Sequence, residues 1–110
     1  MRQIVVTLSD ASGGAKTSQT LPLDIHGRPD ISLQVAVTGT ANWTVQQTVD
    51  NVFDTSITPV WFDHPDTNMV TQTVNRQGNY AYVPSATRIV LNSGTGSVRY
   101  TVLQSGDNRA

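Results

Sequence analysis

Apolar and polar residues alternate along residues 31–49, and this alternation is the clearest structural signal in the chain. The apolar positions are Ile31, Leu33, Val35, Val37, Trp43, Val45 and Val49. The polar positions between them include Gln34, Thr44, Gln46 and Thr48. A period of two gives each strand one apolar and one polar face, and residues 38–41 (TGTA) interrupt it as a turn would. The stretch therefore predicts a β-hairpin with its apolar face, Trp43 included, on a core and its polar back free for a partner.

Shorter segments with the same character predict the remaining strands. They are residues 2–8, 16–25, 57–62, 69–74, 80–83, 87–91 and 96–104. Pro22 has no backbone N–H, so its strand is predicted at a sheet edge. Residues 75–79 (NRQGN) predict a turn, and residues 93–96 (SGTG) predict a tight hairpin connection. Tyr100 falls in the apolar register of its strand, which predicts a core position.

Eight or nine short strands with regular turn signals predict an all-β fold. The pattern indicates an antiparallel β-sandwich, a jelly roll or a small barrel. We expect a single β-sandwich domain over residues 1–110, jelly-roll-like in its connections, with residues 105–110 as a frayed tail.

Composition supports this fold class and narrows the function. Among 110 residues there is one lysine and no cysteine, and all eight acids are aspartates. Cysteine-free chains have neither disulfides nor thiolate metal sites. A formal charge of −1 with scattered arginines argues against nucleic-acid binding. The apolar run at residues 4–6 is too short for a signal peptide or a membrane span, so we expect a protein made in the cytoplasm.

One cluster of ionisable side chains invites a chemical interpretation. Asp63, His64 and Asp66 lie together, and a histidine between carboxylates could bind a metal or act as a base. Pro65 and the aspartates are equally typical of a structural turn, which is the interpretation we favour. The other histidine, His26, has no ligand at a known metal spacing. No nucleophile or phosphate-binding motif is present, so we predict neither enzymatic activity nor a metal or cofactor.

The aromatic residues offer a binding function instead. Trp61 and Phe62 are adjacent, so on an extended chain they point to opposite sides, and one of them should face a partner. The tryptophans and tyrosines could alternatively line a sugar-binding face. Those residues are Trp43, Trp61, Tyr80, Tyr82 and Tyr100. A carbohydrate-binding module therefore remains an alternative function.

Three segments together resemble small all-β virion structural proteins of tailed bacteriophages. They read LQVAVTGTANWTVQQTVDN (33–51), PVWFDHP (59–65) and GNYAYVPSATRIVLNSGTGSVRYTVLQ (78–104). The set looks most like the decoration, or cement, proteins on the heads of short-tailed phages. These are packing and turn motifs, so the resemblance transfers no catalytic, metal or contact residue.

The resemblance implies a jelly-roll subunit on the capsid exterior that clamps neighbouring major capsid proteins as a homodimer or homotrimer. A tail or head–tail connection component is the alternative within the virion. Local reasoning supplies two sets of candidate interface residues. One set is Trp61, Phe62, Asp63 and His64. The other is Arg2, Ile4 and Val6 on the first strand, which could add to a partner's sheet.

Overall fold

The computed structural model describes residues 2–10, 12–23, 30–80 and 83–105. The predictions that concern His26, Tyr82 and residues 106–110 of the tail lie outside these ranges, as does part of the strand predicted at residues 16–25. Residue 105, the predicted start of the tail, is instead the last residue of a strand. In the described part of the chain no helix is long and apolar enough to cross a membrane.

The described residues form nine strands in two antiparallel sheets, which confirms the all-β sandwich. The strands are β1 (Arg2–Ser9), β2 (Lys16–Thr17), β3 (Leu21–Pro22), β4 (Asp30–Thr38), β5 (Asn42–Thr48), β6 (Phe62–Asp63), β7 (Arg76–Tyr80), β8 (Ala86–Ser93) and β9 (Ser97–Ser105). One sheet has the order β1-β9-β4-β7 and is called sheet A. The other, sheet B, has the order β2-β8-β5-β6, with β3 also paired to β8.

The connections follow a jelly-roll path. If β2 and β3 are counted as one interrupted strand, each sheet has four strands, and the chain changes sheet at every connection except the one from β5 to β6. Eight strands that alternate in this way between two sheets are the jelly-roll arrangement. Strand β1 therefore lies at one edge of the sandwich, beside β2, while β6 and β7 lie at the other.

The predicted hairpin at residues 31–49 is wrong in its pairing, although both of its strands exist. Strand β4 pairs with β9 and β7 in sheet A, whereas β5 pairs with β8 and β6 in sheet B. Alternation specifies that each strand has an apolar face, and two such faces are buried equally well when the strands face each other across a sandwich.

The hairpin predicted at residues 93–96 is wrong for the same reason, because β8 and β9 lie in different sheets. The two crossing loops, residues 38–41 and 93–97, pack against each other, and the Gly96 N–H donates to the Thr40 carbonyl at 2.7 Å. A Cβ on Gly94 or Gly96 would clash with the carbonyl oxygens of Thr40 and Thr38. Gly94 also has a φ of 107°, which favours glycine.

The core lies between the sheets and contains Trp43 and Tyr100 as predicted. Its other members are Leu8, Leu21, Leu23, Ile31, Leu33, Val35, Ala41, Val45, Met69, Tyr80, Ile89, Leu91, Val98 and Val102. Strand β3, with Pro22, pairs only with β8 among the described residues, so the predicted edge position is confirmed.

The segment before β7 departs from the sequence prediction. The strand predicted at residues 69–74 is a 3₁₀ turn, Thr67–Met69, followed by an irregular stretch in which only Gln72 pairs, with Trp43. The turn predicted at residues 75–79 is strand β7. Met69 is buried against Gly78, where a Cβ would lie 2.9 Å from the Met69 sulfur. Met69, which the sequence predicts in a strand, thus fills the space that Gly78 leaves open in β7.

Candidate interaction surface

Exposed apolar side chains concentrate in the connection between β5 and β6. Among the described residues seven large hydrophobic side chains are exposed, and five of them fall within residues 49–62. They are Val49, Phe53, Ile57, Val60 and Phe62. We call residues 49–62 the apolar segment. Phe53 is 77% exposed and Phe62 is 62% exposed, so this segment presents two aromatic rings to its surroundings.

Asp50 fixes both ends of the apolar segment. Its carboxylate accepts a hydrogen bond from the Val60 N–H at 2.7 Å, which joins the start of the segment to its end. Its own N–H donates to the Thr48 hydroxyl at 3.1 Å. The Ser85 hydroxyl, in the loop before β8, donates to the carbonyls of Thr48 and Asp50. The ends of the segment are therefore fastened to sheet B.

Two side-chain turns order the middle of the segment. The Asn51 side chain accepts from the Phe53 N–H at 3.0 Å. The Asp54 carboxylate accepts from the N–H and the hydroxyl of Ser56 at 2.9 and 2.6 Å. These two hydrogen bonds lower the pKa of Asp54. Short polar side chains that bond to the backbone two residues ahead are a standard way to build a loop without regular structure.

Trp61 lies on the outer face of sheet B rather than in the core. The guanidinium carbon of Arg88 is 4.3 Å from the centre of its ring, which is a cation–π contact. Arg88 also donates to the Gln46 side chain at 2.8 Å, and Gln46 donates to the Asp63 carboxylate at 3.0 Å. This chain of contacts holds the end of the apolar segment flat against the sheet and leaves Phe62 as its exposed aromatic residue.

His64 is a buried structural residue, only 6% exposed. Its Nδ1 accepts from the Asp66 N–H at 3.0 Å, so Nε2 carries the proton and donates to the Asn79 carbonyl at 2.9 Å. Its ring stacks on Tyr80 with centroids 4.6 Å apart. Burial lowers the pKa of His64, and the Asn79 hydrogen bond and the charge of Asp66 oppose that shift only in part. The folded protein therefore favours the neutral imidazole of His64 over the charged form.

The cluster of Asp63, His64 and Asp66 runs from the end of β6 into a turn, which agrees with the structural interpretation. The Asp66 carboxylate accepts from the Asn68 N–H at 2.9 Å and begins the 3₁₀ turn. Within the described ranges no group of three or more His, Cys, Asp or Glu could hold a metal ion. Both imidazole nitrogens already have partners, so His64 in this arrangement has no free nitrogen for a metal or a substrate.

The second predicted set lies on the opposite side of the sandwich. Strand β1 carries Ile4 and Val6, which are half-buried against the core, while Val5 on the other face is 51% exposed. The structure thus brings Trp61, Phe62, Asp63 and His64 together but separates them from β1 by the width of the sheets. The candidate residues form two surfaces and not one.

The polar back predicted for residues 31–49 does not exist as a continuous surface. Gln34 faces outward from sheet A, whereas Thr44 and Thr48 are buried in sheet B. The Thr44 hydroxyl accepts from the Thr71 N–H at 3.0 Å, so the stretch before β7 covers it. Val49, predicted on the apolar face, is exposed because β5 ends at Thr48.

The sugar-binding alternative loses most of its aromatic residues. Trp43 and Tyr100 are fully buried, and Tyr80 donates its hydroxyl proton to Gln47 inside the core at 3.1 Å. Of the aromatic residues proposed for that face, Trp61 alone remains on a described surface, and Arg88 covers one side of its ring. The described members of this set therefore do not form a row of rings on which a sugar could stack.

Four exposed residues of the apolar segment were not among the interface residues predicted from the sequence. Val49 ends the alternation of residues 31–49, and Ile57 and Val60 belong to the strand predicted at residues 57–62, of which only Phe62 lies in a strand. They stand among Asn51, Asp54 and Ser56, residues typical of turns. Phe53 alone lies outside every predicted strand, so an apolar residue in a turn-rich stretch was the available signal of an exposed apolar surface.

Comparison with known proteins adds little. No protein-family model matches the chain, and no curated protein sequence matches it. Among solved structures it is similar to the coat protein of tobacco streak virus, with 9% identity over 98% of this chain and 89% of that chain and a TM-score of 0.33. A TM-score this low establishes nothing about a shared function.

Proposed function

We propose that this chain is a non-enzymatic virion structural protein, most specifically a capsid decoration protein of a tailed phage. In this role it binds the outer surface of the major capsid protein shell and stabilises the mature head. The observation that carries the proposal is the apolar segment, an exposed apolar surface with an ordered backbone. The resemblance of the chain to small phage virion proteins indicates the partner, which is the major capsid protein.

The physical case rests on how the apolar segment would bind. Aromatic anchors dominate the binding energy of protein interfaces, and Phe53 and Phe62 are exposed anchors of this kind. The hydrogen bonds of Asp50 and Asp54 order the loop before it binds, which reduces the entropy lost on association. Many copies on one shell then strengthen the particle through multivalent contact.

Binding to purified shells tests the proposal directly. We expect the protein to bind expanded mature shells, and we expect shells without it to break at lower temperature or lower osmotic stress. Phe62→Ser should weaken binding by about tenfold or more, as the loss of an interface anchor does. Val74→Ser is the matched control, because Val74 is 49% exposed but lies outside the apolar segment. Unchanged stability of shells that lack the protein would refute the decoration role.

A place in the tail or at the head–tail connection is the second candidate within the virion. Copy number per particle separates the two, because a decoration protein is present in hundreds of copies, while a connector has on the order of a dozen under its cyclic symmetry. The same apolar segment would serve either position. Quantitative mass spectrometry of purified particles therefore decides between them.

A further inference from the structure

Strand β1 is the least protected sheet edge in the described part of the molecule. The other edges have features that discourage pairing with another chain. Strand β3 contains Pro22, β2 and β6 are two residues long, and β7 is five residues long with Arg76 at its start. Strand β1 has eight residues in unbroken register with β9 and, among the described residues, no strand on its other side.

The composition of β1 also lacks the usual protection. From Gln3 to Ser9 it contains no charge and no proline. Ile4 and Val6 pack on the core but remain partly open to solvent, and Val5 is exposed on the opposite face. Apolar side chains therefore line both faces next to an edge that no strand in the described part of the chain pairs with. A strand from another chain that paired with this edge would cover the exposed apolar side chains and form hydrogen bonds with the backbone of β1.

We propose that this edge pairs with the β1 edge of a second copy of the chain, antiparallel and centred on Val5. In this register Val5 is opposite Val5 of the other copy, Ile4 is opposite Val6, and Gln3 is opposite Thr7. Cross-strand pairs of β-branched residues stabilise a sheet, and no like charges face each other. The occupant is a second copy because the strand is complementary to itself in this direction.

Charge and local contacts fix the direction and the length of the pairing. Antiparallel pairing brings the Arg2 end of β1 in one copy towards the other end of β1 in the second copy, which Asp10 follows. Parallel pairing would instead bring the Arg2 residues of the two copies together. Lys16 donates to the Ser9 carbonyl at 3.3 Å, so the paired region ends at Leu8. A shift by one residue would turn the apolar face outward, because side chains alternate along a strand.

The resulting dimer would have one continuous sheet across its two-fold axis. Sheet A has four strands in each copy, so the joined sheet has eight. The outer face of sheet A contains a shallow depression of about 570 Å³ lined by Gln3, Val5 and residues of the other three strands. Two such depressions would lie side by side across the axis. This dimer does not rest on the proposed virion function and would form in any role.

Light scattering on the purified protein tests the dimer. We expect a dimer for the native chain, and Val5→Lys should raise its dissociation constant by about tenfold or more, because two lysines would meet at the axis. Val74→Lys adds the same charge at a site of similar exposure and should leave the dimer intact. A native chain that stays monomeric at its highest soluble concentration overturns the proposal, as does a dimer that Val5→Lys does not weaken.

Cysteine crosslinking tests the register and does not require the lysine variant to fold. The chain has no cysteine, so each introduced thiol is a clean reporter. Directly opposite Cα atoms in an antiparallel pair lie about 4.5–5.5 Å apart, within the range of a disulfide. Val5→Cys should form a covalent dimer under mild oxidation, and Val74→Cys should not. A mixture of Gln3→Cys and Thr7→Cys chains should crosslink faster than either alone, and equal rates would overturn the Val5-centred register.

Discussion

The two proposed binding surfaces lie at opposite edges of the sandwich and are of opposite kinds. At one edge β1 is regular, paired over all eight residues with β9, and offers backbone groups flanked by half-buried aliphatic side chains. At the other edge the apolar segment has no regular structure except where it enters β6, and it offers exposed side chains such as Phe53 and Phe62. The first surface is suited to another strand, and the second is suited to a pocket or groove on a partner.

The two surfaces are kept in place by different kinds of contact. Strand β1 is ordered by its ladder with β9, so no single outward side chain is needed for its shape. The apolar segment depends on a few side chains at its ends, chiefly Asp50 and Trp61, while His64 fastens the turn that follows the segment to β7. Single substitutions should therefore affect the stability of the two edges unequally.

His64→Ala should have the largest effect. It removes the hydrogen bonds with Asp66 and Asn79 and the stacking on Tyr80, and it leaves a cavity. We expect the free energy of unfolding to fall by about 2–4 kcal/mol in urea titration. Thr7→Ala on the outer face of β1 is the contrast and should change it by less than about 0.5 kcal/mol. Equal losses in the two variants would break the comparison between the edges.

Asp50→Ala should release the apolar segment while the sandwich stays folded. The Val60 N–H loses its acceptor and Thr48 loses a partner, which we expect to cost about 1–3 kcal/mol. Limited proteolysis followed by mass spectrometry should show new cleavage confined to residues 49–62. Asp54→Ala disturbs only the local turn with Ser56 and serves as the control. Cleavage spread evenly over the chain would mean that Asp50 supports the whole fold and not this loop.

The contact between Trp61 and Arg88 should contribute less. A double-mutant cycle with Trp61→Ala and Arg88→Ala should give a coupling free energy of about 0.5–1 kcal/mol, typical of a half-exposed cation–π pair. The cycle cancels the separate loss of the bond between Arg88 and Gln46. A second cycle with Trp61→Ala and Arg76→Ala is the control and should give no coupling free energy. A coupling free energy of zero in both cycles would show that the contact between Trp61 and Arg88 does not help to hold the segment.

The smallest effect we expect is the pH dependence that His64 produces. Its pKa in the folded protein is lowered from its ordinary value of 6.5, mainly by burial, so the unfolded chain binds its proton more readily. The free energy of unfolding should therefore be highest above pH 6.5 and fall as the pH drops through the folded pKa. His64→Gln should flatten this dependence in urea titrations between neutral and acidic pH. A profile that His64→Gln leaves unchanged would assign the dependence to other groups.

Local alternation and turn residues were enough to predict the five longest strands and much of the core. Alternation over residues 31–38 and 43–48 predicted two real strands, because a buried face imposes a period of two wherever the strand lies. Trp43 and Tyr100 were correctly placed inside, and Pro22 correctly marked an edge. The turn at His64 was also predicted, because proline and aspartate act locally. The single-domain assignment and the interface role of both residue sets remain predictions.

Which strands are neighbours depends on tertiary packing. The same alternation fits a hairpin or two facing sheets, and the choice depends on contacts between residues far apart, such as Met69 with Gly78 and Thr40 with Gly96. That choice also placed β1 and the apolar segment at opposite edges, buried Thr44 and Thr48, and exposed Val49. Local pattern fixes the face of a strand, whereas long-range packing fixes its partner, and the partner determines which residues remain on the surface.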